Sequence, residues 1–138
     1  FYVIGIDTSS HGLAKKICDE FFISPIGTTK DFILFINKIY LKADLIFLFV
    51  DEEIKNISNS KFLYKAAKKK IILSSKISIN ICLDKYKFAN FCQKNNINVP
   101  ENKSPYKYLI KPRIGSGSRG VKIVTDKKEI SFYQRNKK

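Results

Sequence analysis

The chain opens on an apolar run, Tyr2-Val-Ile-Gly-Ile6, and up to about residue 80 alternates short apolar runs with amphipathic stretches. Tyr2 to Ile6 predicts a strand, Leu13 to Cys18 a short helix, and Phe21 to Ser24 a second strand closed by Pro25. Between Thr29 and Leu41, Phe32, Phe35, Ile36 and Ile39 recur at helical spacing, so this stretch is expected to lay one face on a sheet. Asp44 to Val50 contains an unbroken apolar run, the pattern of a strand buried on both faces of a parallel sheet. Ser60 to Lys69 predicts a helix with Phe62, Leu63, Ala66 and Ala67 inward, followed by a strand from Lys70 to Leu73. Strands alternating with helices imply an α/β fold with a Rossmann-like parallel sheet.

The second part reads differently. A lobe boundary is expected near residues 75 to 83. Asp84 is placed to cap a helix ending near Asn95, with Phe88, Phe91 and Cys92 on its inner face. Pro100 and a polar linker, Glu101 to Pro105, lead into a strand, a glycine-serine loop expected from Arg113 to Arg119, and the alternating stretch Val121-Lys-Ile-Val-Thr125. That alternation predicts a second strand, hence a β-hairpin. Asp126 can cap a last helix containing Ile130 and Tyr133.

The hairpin loop carries the chemistry. Gly115, Gly117 and Gly120 satisfy G-x-G-x-x-G, a pattern shared by dinucleotide folds, kinase lids and plain glycine-rich turns. A dinucleotide fingerprint opens a helix, whereas a strand follows here. In a kinase lid the phosphate lysine lies on the strand after the hairpin, whereas Lys111 lies on the strand before it. Glycines allow the backbone to approach a phosphate closely. Ser116 and Ser118 add hydroxyl donors, and lysine supplies a charge-assisted bond to a phosphate oxygen.

Lys111-Pro112 leading into Gly-Ser-Gly-Ser-Arg-Gly resembles the ATP-grasp superfamily, and Asp84-Lys-Tyr86 followed by Ile97-Asn-Val-Pro100 is similar to that family's entry into its nucleotide-binding subdomain. Ala43 to Glu53 and Lys70 to Leu73 resemble strands of the preceding pre-ATP-grasp domain, the carbamoyl-phosphate-synthase-like group being nearest in flavour. The resemblance implies residues 1–80 as a pre-ATP-grasp domain whose first strand is missing, and residues 81–138 as the start of an α+β ATP-grasp domain. It implies Lys85 and Lys111 as phosphate ligands with the loop Gly115, Ser116, Gly117, Ser118 and Gly120. Arg119 would touch the γ-phosphate or the substrate carboxylate, and Leu109 or Ile110 would line the adenine pocket. Arg113 is assigned no role. The implied activity is an ATP-dependent ligase that activates a carboxylate or carbonate as an acyl phosphate. ATP and Mg are its cofactors, with the metal ligands expected outside this chain and the fragment expected to be inactive alone. A homo-oligomer is compatible with this.

The chain begins at Phe1, contains no Met and stops in a Lys-rich tail, so it is expected to be a fragment. Lys and Arg number 26 against 12 Asp and Glu, a net +14. Residues 1–80 carry 12 basic and 8 acidic side chains, net +4, and residues 81–138 carry 14 and 4, net +10. A basic half suggests a polyanion partner. The alternative to an ATP-grasp ligase is therefore a basic Rossmann-like module that binds nucleic acid or nucleotide. Nucleic acid is disfavoured because the aromatic residues fall on expected core faces, leaving no stacking platform. The 23 Lys, 21 Ile and 10 Asn also reflect a general compositional drift. Cys18, Cys82 and Cys92 lack metal or disulfide spacing and are expected as buried thiols. His11 lies in a Ser-Ser-His-Gly turn and is expected to be solvated. Asp51-Glu-Glu53 follows a strand, so it is either a ligand site at the sheet edge or a first helical turn. No apolar run is long enough to span a bilayer, and a cytoplasmic, membrane-free protein is expected.

Overall fold

The computed structural model describes residues 1–100 and 107–135. The expected linker Glu101 to Pro105, the tail beyond Arg135 and the side chain of Tyr133 lie outside them. The chain divides into two compact units, Phe1–Ile79 and Asn80–Lys138.

In the first unit, β1 (Ile4–Asp7) and β2 (Glu20–Ile23) pair in parallel, with the short helix α1 (Ala14–Ile17) between them. A second parallel pair joins β3 (Ile46–Phe47) to β4 (Ile71–Ile72). The two pairs are separate two-stranded sheets among the described residues. Helix α2 (Lys30–Ile39) starts at Thr29, whose hydroxyl accepts from the Phe32 amide at 3.3 Å. This satisfies one of the amides that a helix start leaves without a partner. Its buried residues are Phe32, Ile33, Ile36 and Asn37, with Phe35 and Ile39 half-buried, so the inner face is rotated from the expected one. Phe32, Ile33 and Ile36 form the core with Ile46, Ile57 and Ile71.

Two expectations fail here. Ser60 to Lys69 is not one helix. Asn37, only 7% exposed, donates from Nδ2 to the Phe62 carbonyl at 2.8 Å and accepts the Tyr64 amide at 2.9 Å. Those backbone groups are therefore withheld from helical bonds, and helix α4 runs Lys65–Lys70. Ala67 is buried, Leu63 is half-buried, and Ala66 and Phe62 are exposed, with the Lys30 ammonium 4.4 Å from the centroid of the Phe62 ring. The apolar run 45–50 is not buried on both faces: Ile46 faces the core, while Leu45, Phe47, Phe49 and Val50 are exposed. Successive residues of a strand alternate sides while cross-strand partners share one, so the pair Ile46 and Ile71 faces the core and the pair Phe47 and Ile72 turns away. Helix α3 (Asp51–Asn59) takes up the acidic run as its first turn, where negative charge favours the helix dipole. Its Asn56 side-chain amide ties down the loop before α2 through the carbonyls of Gly27 and Thr29 at 2.7 and 2.8 Å.

The expected lobe boundary holds helix α5 (Lys76–Cys82). In the second unit, α6 (Lys85–Lys94) is capped by Asp84, and α7 (Lys127–Arg135) by Asp126. The inner face of α6 also differs from expectation. Cys92 is buried, but Phe88 and Phe91 are 46% and 44% exposed, because the face is rotated toward Ala89 and Cys92. The thiols differ too: Cys92 is buried, Cys18 half-buried and Cys82 exposed.

Candidate functional site

Strand β5 (Tyr108–Ile110) pairs antiparallel with β6 (Lys122–Val124), setting Tyr108 opposite Val124, Leu109 opposite Ile123 and Ile110 opposite Lys122. Val124 is buried, whereas Leu109 and Ile123 form an exposed apolar cross-strand pair. Lys111 directly follows β5. It is exposed and has no polar partner among the described residues.

The connection, residues 111 to 121, bends sharply. Gly117 at φ +61° and Gly120 at φ +74° occupy the left-handed region, where a side chain is strained. Ser118 sits there as well, at φ +58°. The loop is braced by its own residues. The Arg119 amide and Nε donate to the Ser116 carbonyl at 3.4 and 3.3 Å, and its Nη2 lies 3.2 Å from the Ser116 hydroxyl. The Val121 amide closes the turn on the Ser118 carbonyl at 3.2 Å. Around Gly115 and Gly117 there is open space, with no atom nearer than 4.0 Å to where a Cβ would stand.

Helix α6 brings Lys85 to this loop. Asp84 accepts from the amides of Tyr86 and Lys87 at 3.1 and 3.2 Å, which sets the first turn. The Lys85 amide donates to the Arg113 carbonyl at 3.1 Å, and the Lys85 ammonium to the Gly115 carbonyl at 2.7 Å. Lys85, Lys111, Ser116, Ser118 and Arg119 are thus all on or bonded to one hairpin loop. Sequence reasoning missed Arg113. Its guanidinium grips Asp84, with Nε 2.8 and 2.9 Å from the two carboxylate oxygens and Nη2 2.8 Å from Oδ2. Hydrogen bonding to that guanidinium holds the Asp84 carboxyl down at about 2, against burial, which pushes it up. The two residues are 29 apart in sequence, and only the acid at a helix start beside Lys85 hinted at a basic partner.

The other candidates belong to the first unit. His11 is exposed, its amide bonded to the Ser9 hydroxyl. In the first unit, burial pushes the Glu53 carboxyl up, and the charges of Asp7 and Glu52 add to this. Among the described residues, no group of three or more His, Cys, Asp or Glu could hold a metal ion, and no helix is long and apolar enough to cross a membrane.

No family model and no curated protein matches the chain. Among solved structures, N5-carboxyaminoimidazole ribonucleotide synthetase from Thermotoga maritima is similar over 96% of this chain, at 23% identity and a TM-score of 0.59. The chain spans 36% of that protein's length. At this identity the likeness is one of fold. The chain is therefore folded like a segment of that synthetase.

Proposed function

We propose that the chain is part of an ATP-grasp ligase, with residues 1–80 as its Rossmann-like pre-ATP-grasp domain and residues 81–138 as the start of its nucleotide-binding domain. The observation that carries this is the convergence of Lys85 and the glycine-serine loop, next to Lys111, on a fold shared with a known synthetase. The residues suit a polyphosphate. The loop offers backbone amides and open space at Gly115 and Gly117, and two lysine ammonium groups supply charge-assisted donors. Lys111, Lys85 and the loop from Gly115 to Gly120 would hold phosphate oxygens, and Arg119 the terminal phosphate or a substrate carboxylate. The exposed Leu109 and Ile123 supply an apolar surface suited to the flat face of a base.

Mg-ATP supplies the phosphoryl group that turns a carboxylate or carbonate into an electrophile, an acyl phosphate, for attack by an amine. The share of this chain is binding and orientation, which converts a bimolecular encounter into a positioned one. The metal ligands are expected outside this chain, and the isolated chain is expected to be inactive. A carbamoyl-phosphate-synthase-like variant of the chemistry belongs to the same proposal.

The test is calorimetric titration of Mg-ATP into the full-length protein. Lys111→Ala should weaken binding or abolish turnover without unfolding, Lys85→Ala should do so to a smaller degree, and Lys69→Ala in the other unit should do neither. Wild-type affinity and turnover in Lys111→Ala would reduce the hairpin to a structural turn.

A further inference from the structure

Arg113 makes a bidentate ion pair in the second unit, yet nothing in its position requires it to meet a nucleotide. Its guanidinium forks onto both oxygens of Asp84 and lies over the Tyr86 ring at 5.2 Å. Asp84 is only 6% exposed and spends its Oδ1 on capping α6 as well. The main chains are joined beside this, Lys85 N–H to the Arg113 carbonyl. One side-chain fork and one backbone bond therefore close a small ring through Asp84, the Lys85 amide and Arg113, which joins the start of α6 to the base of the hairpin loop. Lys85 stands inside that ring and Lys111 two residues before it.

We propose that Asp84 and Arg113 are a positioning pair for the phosphate site, fixing the separation of Lys85 from Lys111 and the glycine loop without touching the nucleotide. This rests on the nucleotide-binding role proposed above. A planar guanidinium fork fixes angle as well as distance, which a lysine ammonium cannot do. Without it, the loop base would still be tied to α6 by the Lys85 amide and by the Lys85 ammonium on the Gly115 carbonyl. A phosphate must draw on that same ammonium. The fork keeps the two elements in register while the lysine exchanges a neutral carbonyl for an anionic oxygen.

The variants that separate positioning from helix capping are Asp84→Asn, Arg113→Gln, Arg113→Lys and the double variant Asp84→Asn/Arg113→Gln. Asparagine caps a helix about as well as aspartate but cannot hold the fork as an ion pair. Mg-ATP is titrated into each full-length protein, with circular dichroism to verify folding. Asp84→Asn and Arg113→Gln should each weaken binding roughly 10- to 100-fold, as loss of an orienting partner does. The double variant should be no weaker than the worse single one, and Arg113→Lys should recover part of the loss. Wild-type affinity in folded Asp84→Asn and Arg113→Gln would overturn the positioning role while leaving the nucleotide site standing. Additive losses would mean that Arg113 acts apart from Asp84, and would overturn it too. A wild-type protein that binds no Mg-ATP would remove the nucleotide site and this inference with it.

Discussion

Gly117 and Gly120 offer a controlled pair of substitutions. Both have positive φ, +61° and +74°, so alanine at either pays about 1–2 kcal/mol for a left-handed backbone. They differ in what a methyl would meet. At Gly117 the nearest atom is Arg119 Nε at 4.0 Å, which is open space, whereas at Gly120 it is Pro112 Cγ at 2.8 Å, with Cδ at 3.4 Å. The proline ring is locked to its own backbone, so relief requires the Lys111-Pro112 segment to move. Overpacking of this kind costs about 1–3 kcal/mol in a packed core, and the lower end suits a loop. Gly120→Ala is therefore expected to destabilise the hairpin by about 1 kcal/mol more than Gly117→Ala. Native-state amide exchange across β5 and β6 measures this locally, independent of the other unit. Adding Pro112→Ala should recover the excess in Gly120→Ala and leave Gly117→Ala unchanged. Equal destabilisation by the two glycine variants, or no recovery, would refute the contact as its cause.

Because pairing with Arg113 depresses the Asp84 carboxyl to about 2 from an ordinary 3.8, the stability it contributes is complete above about pH 4 and lost as pH falls toward 2. In acid titrations followed by amide exchange, wild type and Asp84→Asn should differ at neutral pH and converge near pH 2. Glu53 has the opposite sign: its carboxyl is raised by burial and by Asp7 and Glu52, so its ionised form costs stability at neutral pH. Glu53→Gln should raise the melting temperature at pH 7, and the gain should vanish once pH drops below the ordinary glutamate value. Asn37→Ala removes the partners of the Phe62 carbonyl and Tyr64 amide and should cost about 1–3 kcal/mol in urea denaturation.

The sequence disclosed what is encoded within one turn or one strand pair. The Thr29 and Asp84 caps, the helical period of α2, and the return to strand after Gly120 are all local signals. The segment 60–64 failed because an asparagine 25 and 27 residues before Phe62 and Tyr64 claims their backbone groups, and no local propensity carries that information. The run 45–50 failed because continuous apolarity does not say how many faces a sheet covers. Phe88 and Phe91 misled for a related reason, since side-chain size does not decide which stripe of a helix turns inward. At the site, Lys85, Lys111 and the glycines could be named from their motifs. Arg113 could not, because its role exists only through a carboxylate 29 residues away.

The outward face of the β3–β4 pair presents Phe47 and Ile72 side by side, with the Phe49 ring stacked 6.4 Å from Phe47. Such a surface is adhesive, and what opposes contact between copies is their charge, net +14 on 138 residues. That repulsion reaches about 10 Å at 0.1 M salt but only about 3 Å at 1 M. The expected consequence for the chain in solution is that dilute buffer keeps copies apart while added salt favours contact between their aromatic faces, which light scattering across a salt series would register.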